Sequence, residues 1–447
     1  MSTGEKAGLA YLDFEIERCV RRIKKIRDNP DPSKPQSNIM LYELERDFRM
    51  EQRQAVEQGK PIGAASIGGL TRALGMVPWD AIMAADRTFG EAATRYFDII
   101  RKEGMPEHTC DRCSILIPML LNGDFPRPSF VVSSNFECIP IFLAHVIVAQ
   151  LLDIPTFNVD RSFKHYSQKG EEDEELLKYG TDQLRELVDY VEANVPGCKY
   201  DEDKLIELQY YDRQFLQEFQ RLWKLKAAIP CPLSGRESFR EVRLASMYAD
   251  PKKAVEYMHK YVDEVGERVE KGLGVAQPEE RLRFLWSVAG PFYADPFRWL
   301  EKKGVSIPAS EMTIYNGWFS GREPIWGDPW KGRKLTPLEE EVRQADWVWG
   351  RLGDKWVQTH LNSCRDLHID GIVYFQQWGC PVTNNLGEVV ADVAEKELGI
   401  PTVFIEGRML ESSIYNDEDF HSRLEDFIEV CLATKESRAR DRQGGLA

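Results

Sequence analysis

Nine cysteines are spread through 447 residues, and four of them have neighbours that suggest chemistry. Cys110 and Cys113 form a C-x-x-C pair in HTCDRCS, while Cys138 and Cys380 each follow an apolar run by five or six residues, in SFVVSSNFEC and GIVYFQQWGC. A disulfide framework would call for an even count and an export signal, so free thiols or metal ligands are expected instead. A tetrahedral zinc site would need a second C-x-x-C or a histidine pair at finger spacing. A thioredoxin-type redox pair would sit in a small domain of its own, and this pair lies within a longer α/β pattern. An isolated cysteine at a strand end is more often a small buried hydrophobe. Two in equivalent places, with a third upstream, point to a thiolate-bound metal.

The equivalence comes from an internal repeat. SFVVSSNFEC, a helix and DIPTFNVD in the first half match GIVYFQQWGC, a helix and GIPTVFIEG in the second. Short apolar runs bounded by Gly and Pro alternate with helical patterns in both stretches, the signature of βαβ units on a parallel sheet. Such sheets bind ligands at the carboxyl ends of their strands, where helix N-termini carry about half a positive charge and stabilise thiolates. The expected class is therefore α/β, with two similar Rossmann-like parallel-sheet domains. Residues 1–59 read as an N-terminal helical extension, 60–169 as the first α/β domain, 170–278 as a charged helical connector, and 279–434 as the second α/β domain. Residues 435–447 read as a disordered tail, too poor in apolar side chains to order itself.

Composition narrows the partners. A formal net charge of −15 without a basic stripe excludes a nucleic-acid backbone as the main partner. With 43% hydrophobic and 29% charged residues, no apolar run of about 18 and no secretory leader, the chain reads as soluble, cytoplasmic and without a membrane partner. No G-x-x-x-x-G-K-[ST] is present, and GGLTRALG lacks the lysine, so ATP chemistry belongs elsewhere. Glu406 ends the second I-P-T strand near the expected cleft and is a candidate acid–base group. His145 reads as a satisfied buried histidine, and the tryptophans as core. Cys19, Cys198, Cys364 and Cys431 read as structural.

The run CDRCSILIPMLLNGDFPRPSFVVSSNFEC, the segment DGIVYFQQWGCP before GIPTVFIEG, and the stretches WSVAGPFYADPFRWLEKKGV and AAIPCPLSGRESF together resemble the family of benzoyl-CoA reductase and 2-hydroxyacyl-CoA dehydratase subunits. The likeness covers roughly residues 60 to 430. Spacings of 13 from Cys110 to Gly123 and 28 from Cys110 to Cys138 fit the family pattern without a gap, whereas starting at Cys113 requires a deletion. The resemblance thus implies Cys110, Cys138 and Cys380 as three thiolate ligands of a 4Fe-4S cluster between the domains, with one iron open or differently ligated. It implies a homologous second subunit, a separate ATP-hydrolysing iron–sulfur activator, and ketyl radical chemistry on an acyl- or aryl-CoA thioester. The length and the N-terminal extension resemble the larger benzoyl-CoA reductase subunit. Two alternatives stay open: a double-cubane cluster reductase of small molecules, using Cys113, Cys231 and Cys364 as further ligands, and a noncatalytic cluster-binding assembly subunit. Arg408 in IEGRMLE, where several members carry an acid, and DRSF after the first I-P strand depart from the pattern and leave the substrate open.

Overall fold

Among the described residues, eight parallel strands form two separate sheets with the same strand order. In the computed structural model, residues 8–31, 34–64, 69–105, 109–134, 138–160, 171–240, 250–288, 290–310, 328–349 and 352–444 are described. The first sheet contains β1 (Ile62–Ala64), β2 (Val77–Pro78), β3 (Phe130–Ser134) and β4 (Thr156–Val159), ordered β2-β1-β3-β4. The second contains β5 (Leu282–Ser287), β6 (Val305–Ser310), β7 (Gly371–Gln377) and β8 (Thr402–Gly407), ordered β6-β5-β7-β8. All pairings are parallel. The repeat seen in the sequence thus reappears as topology, with β3 matching β7 and β4 matching β8, and the α/β class with two parallel-sheet lobes holds. Strands β5 and β6 are buried at every position, as expected where helices cover both faces of a parallel sheet.

Local chemistry starts the helices. Asp201, Asp250 and Asp295 each accept a backbone N–H of the first turn from the N-cap position. Proline opens Pro251–Glu270, Pro296–Lys302 and Pro381–Leu398, where its fixed φ suits a helix and its missing N–H costs nothing.

The outer helices are built into the lobes. Helices Leu9–Asp28 and Asn38–Gln58 share the first lobe's core through Tyr11, Ala55 and Val56. Helix Glu171–Asn194 lays Leu177, Leu187 and Val191 over Phe130 and Phe157 of the first sheet. Helices Glu202–Lys226 and Pro251–Glu270 bury Phe219, Leu222, Tyr257 and Met258 between them. The C-terminal segment differs from expectation, because helix Asp417–Gly444 continues well past residue 435. Lys435 Nζ lies 2.9 Å from Asp370 Oδ2, and Arg438 donates to the Leu398 carbonyl at 3.3 Å. Charge anchors and good helix formers order this segment in place of apolar burial; residues 445–447 lie outside the described set.

The second lobe buries a polar chain beside its sheet. His360 is 0% exposed; its Nδ1–H donates to the Trp356 carbonyl at 2.7 Å, and its Nε2 accepts from the Ser287 hydroxyl at 2.7 Å. Burial pulls its pKa down from 6.5 to about 4. As pH falls, the unfolded chain takes up this proton first. The stability tied to neutral His360 is therefore complete above about pH 6.5 and drains away toward about pH 4, with about 2 kcal/mol lost at pH 5. Urea unfolding at pH 7.5 and pH 5 should show a smaller acid loss in His360→Gln than in the wild type. Equal losses would refute the assignment.

Candidate functional site

Cys110, Cys138 and Cys380 each occupy the N-cap of a helix: Asp111–Leu121, Ile139–Leu152 and Pro381–Leu398 respectively. Their carbonyls accept the first intrahelical bonds, from Ser114 at 2.9 Å, Phe142 at 3.1 Å and Asn384 at 3.1 Å. The turn that delivers Cys380 is held on every side. Gly379 has a φ of 77°, a left-handed conformation that suits glycine. The Cys380 amide donates to the Gln377 carbonyl at 3.2 Å, and Trp378 donates to the Gly407 carbonyl at 3.0 Å. Asn384 Nδ2 reaches back to the Gln377 carbonyl at 3.0 Å. The Tyr374 hydroxyl donates to the Thr383 carbonyl at 2.6 Å while accepting from Trp356 Nε1. A polar chain in the second lobe thereby fixes the first turn after Cys380.

The lobes meet at Cys110. Gln377 Nε2 donates to Cys110 Sγ at 3.6 Å, so the first lobe's thiol touches the residue three places before Cys380. Cys110 and Cys113 also pack against Ile141 and Ala144 of the helix that Cys138 opens. Cys110 is buried and linked to Cys113 by a hydrogen bond, whereas Cys138 and Cys380 are partly exposed. That hydrogen bond, assisted by the Arg112 charge and the Gln377 amide and opposed by burial, holds the Cys110 thiol down at about 7. The same bond, together with burial, pushes Cys113 well above the usual thiol range. No group of three His, Cys, Asp or Glu side chains among the described residues could hold a single metal ion.

The remaining cysteines behave as core. Cys364 and Cys431 lie in the second lobe's hydrophobic cluster, Cys198 and Cys19 in two others. Burial pushes Cys198 and Cys231 up to about 11 and Cys364 and Cys431 up to about 12. A Cβ at Gly371 would come within 2.5 Å of Cys431 Sγ, so Cys431 packs directly on the bare backbone that starts β7. Cys231 donates to the Leu233 carbonyl at 3.3 Å. His145, expected to be a satisfied buried histidine, is half-buried and bonds the Val132 carbonyl at 3.0 Å.

Glu406 lies on β8, in register with Gln376, and is exposed. The buried polar contacts beside Cys110 come instead from Asp111, to which the sequence reading gave no role, and from Arg408, which it noted only as a departure from the family pattern. Asp111, 0% exposed, accepts from Arg408 Nη1 at 2.9 Å on one oxygen and from the Leu410 amide at 2.9 Å on the other. Burial raises its pKa, while the Leu410 amide and Arg408 pull it back. Arg408 Nε contacts Glu411 Oε2 at 3.1 Å, and Glu411 is bound in turn by Arg101 at 2.8 Å. An acid at the first helical position after Cys110 was a readable signal; its partner 297 residues away was not.

The family model of the 2-hydroxyglutaryl-CoA dehydratase D-component matches residues 70–431. The chain belongs to that family. The (R)-phenyllactyl-CoA dehydratase alpha subunit of Clostridium sporogenes is 22% identical over 315 residues, which cover 70% of this chain and 73% of the relative. The lactoyl-CoA dehydratase subunit alpha of Anaerotignum propionicum is 21% identical over 318 residues, covering 70% and 71%. Within this D-component family chain, the matched span begins after β1, runs from β2 through β8 and takes in Cys110, Cys138 and Cys380. No helix among the described residues is long and apolar enough to cross a membrane.

Proposed function

We propose that the chain is the iron–sulfur subunit of a cytoplasmic enzyme that removes water from 2-hydroxyacyl-CoA thioesters. The observation that carries this reading is the meeting of the two lobes at Cys110, which touches both the turn leading to Cys380 and the helix opened by Cys138. The donor set fits a cluster: three thiols at three helix N-caps, with an amide hydrogen bond to one sulfur. Cys110, Cys138 and Cys380 would hold a 4Fe-4S cluster, which when bound supplies a low-potential electron and an iron that polarises the thioester carbonyl.

The chain's own residues hold and shield. The helix N-termini favour the anionic thiolates. The Gln377 amide orients Cys110 and tempers its charge, and burial around Cys110 and Cys113 keeps water from the sulfur. Glu406, exposed near the end of β8, carries the acid–base role in this reading. Dehydration is favoured over ring reduction because the relatives are named for phenyllactyl- and lactoyl-CoA, both 2-hydroxyacyl thioesters. They are alpha subunits, so a homologous second subunit is proposed here, with ATP hydrolysis on a separate activator because this chain lacks a phosphate-binding lysine loop. A single 4Fe-4S cluster is favoured over a double cubane because Cys364 is packed in the second lobe's core and Cys231 is buried with its thiol bonded to its own turn.

Anaerobic reconstitution with ferrous iron and sulfide tests the reading. About four irons per chain are expected, with an EPR signal after reduction and release of water from a 2-hydroxyacyl-CoA once partner and activator are added. Iron at only adventitious levels would overturn the proposal. About eight irons would indicate the double cubane, and a full cluster without turnover of any acyl-CoA would indicate an assembly subunit.

A further inference from the structure

Buried charge is expensive, and one of this chain's buried ion pairs lies between the lobes. Asp111 and Arg408 are 0% and 2% exposed, and their ion pair joins the residue after Cys110 to the residue after β8. The guanidinium lies 4.9 Å from the Phe97 ring centroid of the first lobe and 5.7 Å from that of Trp378 in the second. Trp378 directly follows Gln377, the donor to Cys110. The segment after Arg408 is inserted into the first lobe: Met409 and Leu410 belong to its core cluster, and Gly90 N–H donates to the Leu410 carbonyl at 2.8 Å. Glu411 and Arg101 close the network behind it. Such a pair contributes little net stability, because desolvation offsets its attraction. Its geometry, by contrast, ties the helix of Cys110 to the turn of Cys380.

We propose that the Asp111–Arg408 pair is an interdomain clasp, a positioning device that seats Gln377 on Cys110 and sets the span between the cysteines of the two lobes. This rests on the proposed ligand role of those cysteines for its function, but the clasp itself is testable without iron.

The test is maleimide labelling of the metal-free full chain, with each cysteine followed by peptide mass spectrometry. Arg408→Gln should speed labelling of Cys110 and its neighbour Cys113 by about tenfold, as expected for a local opening, while Cys364, Cys198 and Cys431 keep their wild-type rates. Arg408→Lys should recover much of the protection, and neutralising both partners in Asp111→Asn with Arg408→Gln should cost less than the sum of the single changes. Unchanged Cys110 labelling in Arg408→Gln overturns the clasp. A rise shared by all buried cysteines also overturns it, because that pattern marks general loosening. If Arg408→Gln does not fold, Glu411→Gln, which weakens the hold on Arg408 from behind, is read in the same way. Absence of iron binding in the wild type would sink the ligand reading and leave the labelling result standing.

Discussion

Serine at position 138 or 380 should leave the chain folded and remove more than half of its reconstituted iron. Serine is nearly the size of cysteine and is itself a favoured N-cap, so helices Ile139–Leu152 and Pro381–Leu398 lose nothing by the exchange. Its neutral hydroxyl is a poor ligand for iron in a cluster, where soft thiolate is preferred. Changes in outer-shell partners alone cost 10- to 100-fold, so loss of a ligand should lower turnover of the assembled enzyme at least about 100-fold. Cys364→Ser and Cys431→Ser, which alter sulfurs packed in the second lobe's core, should keep full iron. The sharpest comparison is Cys110→Ser against Cys113→Ser, because the two thiols are hydrogen-bonded to each other. Loss of iron in the first and retention in the second fixes the ligand at the helix N-cap. The reverse moves it one turn along. Full iron in Cys110→Ser, Cys138→Ser and Cys380→Ser alike would defeat the site.

Some of this architecture was readable because its causes are local. SFVVSS and GIVYFQQ are short apolar runs, and each is followed by a cysteine that opens a helix, so strand, turn and helix N-terminus could be located from the chain itself. Gly379 before Cys380 and the Pro after it mark the same turn. What escaped has long-range causes. Asp111 next to Cys110 reads as an ordinary helix-start acid until Arg408 arrives from the other lobe. Gln377 reads as a polar strand end until the lobes close and its amide meets a sulfur. Helix Glu171–Asn194 reads as part of a charged connector, and the sheet that its apolar stripe roofs is set by strands distant in sequence. The polar C-terminal stretch lacked the apolar content that normally orders a helix, and its anchors, Lys435 and Arg438, depend on Asp370 in the loop before β7.

The N-terminal helices pose the same question of reach, and Arg49→Met should answer it with a large loss of stability. Arg49 is 1% exposed and grips Asp80 with two parallel bonds, Nη1 to Oδ1 at 2.7 Å and Nη2 to Oδ2 at 2.5 Å. Gln52 completes the set, donating to Asp80 Oδ1 at 3.0 Å and to the Pro78 carbonyl at 2.9 Å. Asp80 lies just after β2, at the N-cap position of helix Ala81–Asp86, so the pair bolts helix Asn38–Gln58 to the first sheet. Methionine fills much of the arginine's volume but leaves the carboxylate buried with a single amide partner. Breaking one side of a buried pair costs about 3–5 kcal/mol, equivalent to a fall in Tm on the order of 10 °C for a lobe of this size. Arg49→Met combined with Asp80→Leu removes both charges and should regain most of that loss, since desolvation no longer opposes folding. Calorimetry of the two variants separates the cases. A fall in Tm of under about 2 °C in the single variant would show that the extension hangs on the lobe without supporting it, whereas recovery in the double variant would trace the loss to the stranded Asp80 carboxylate.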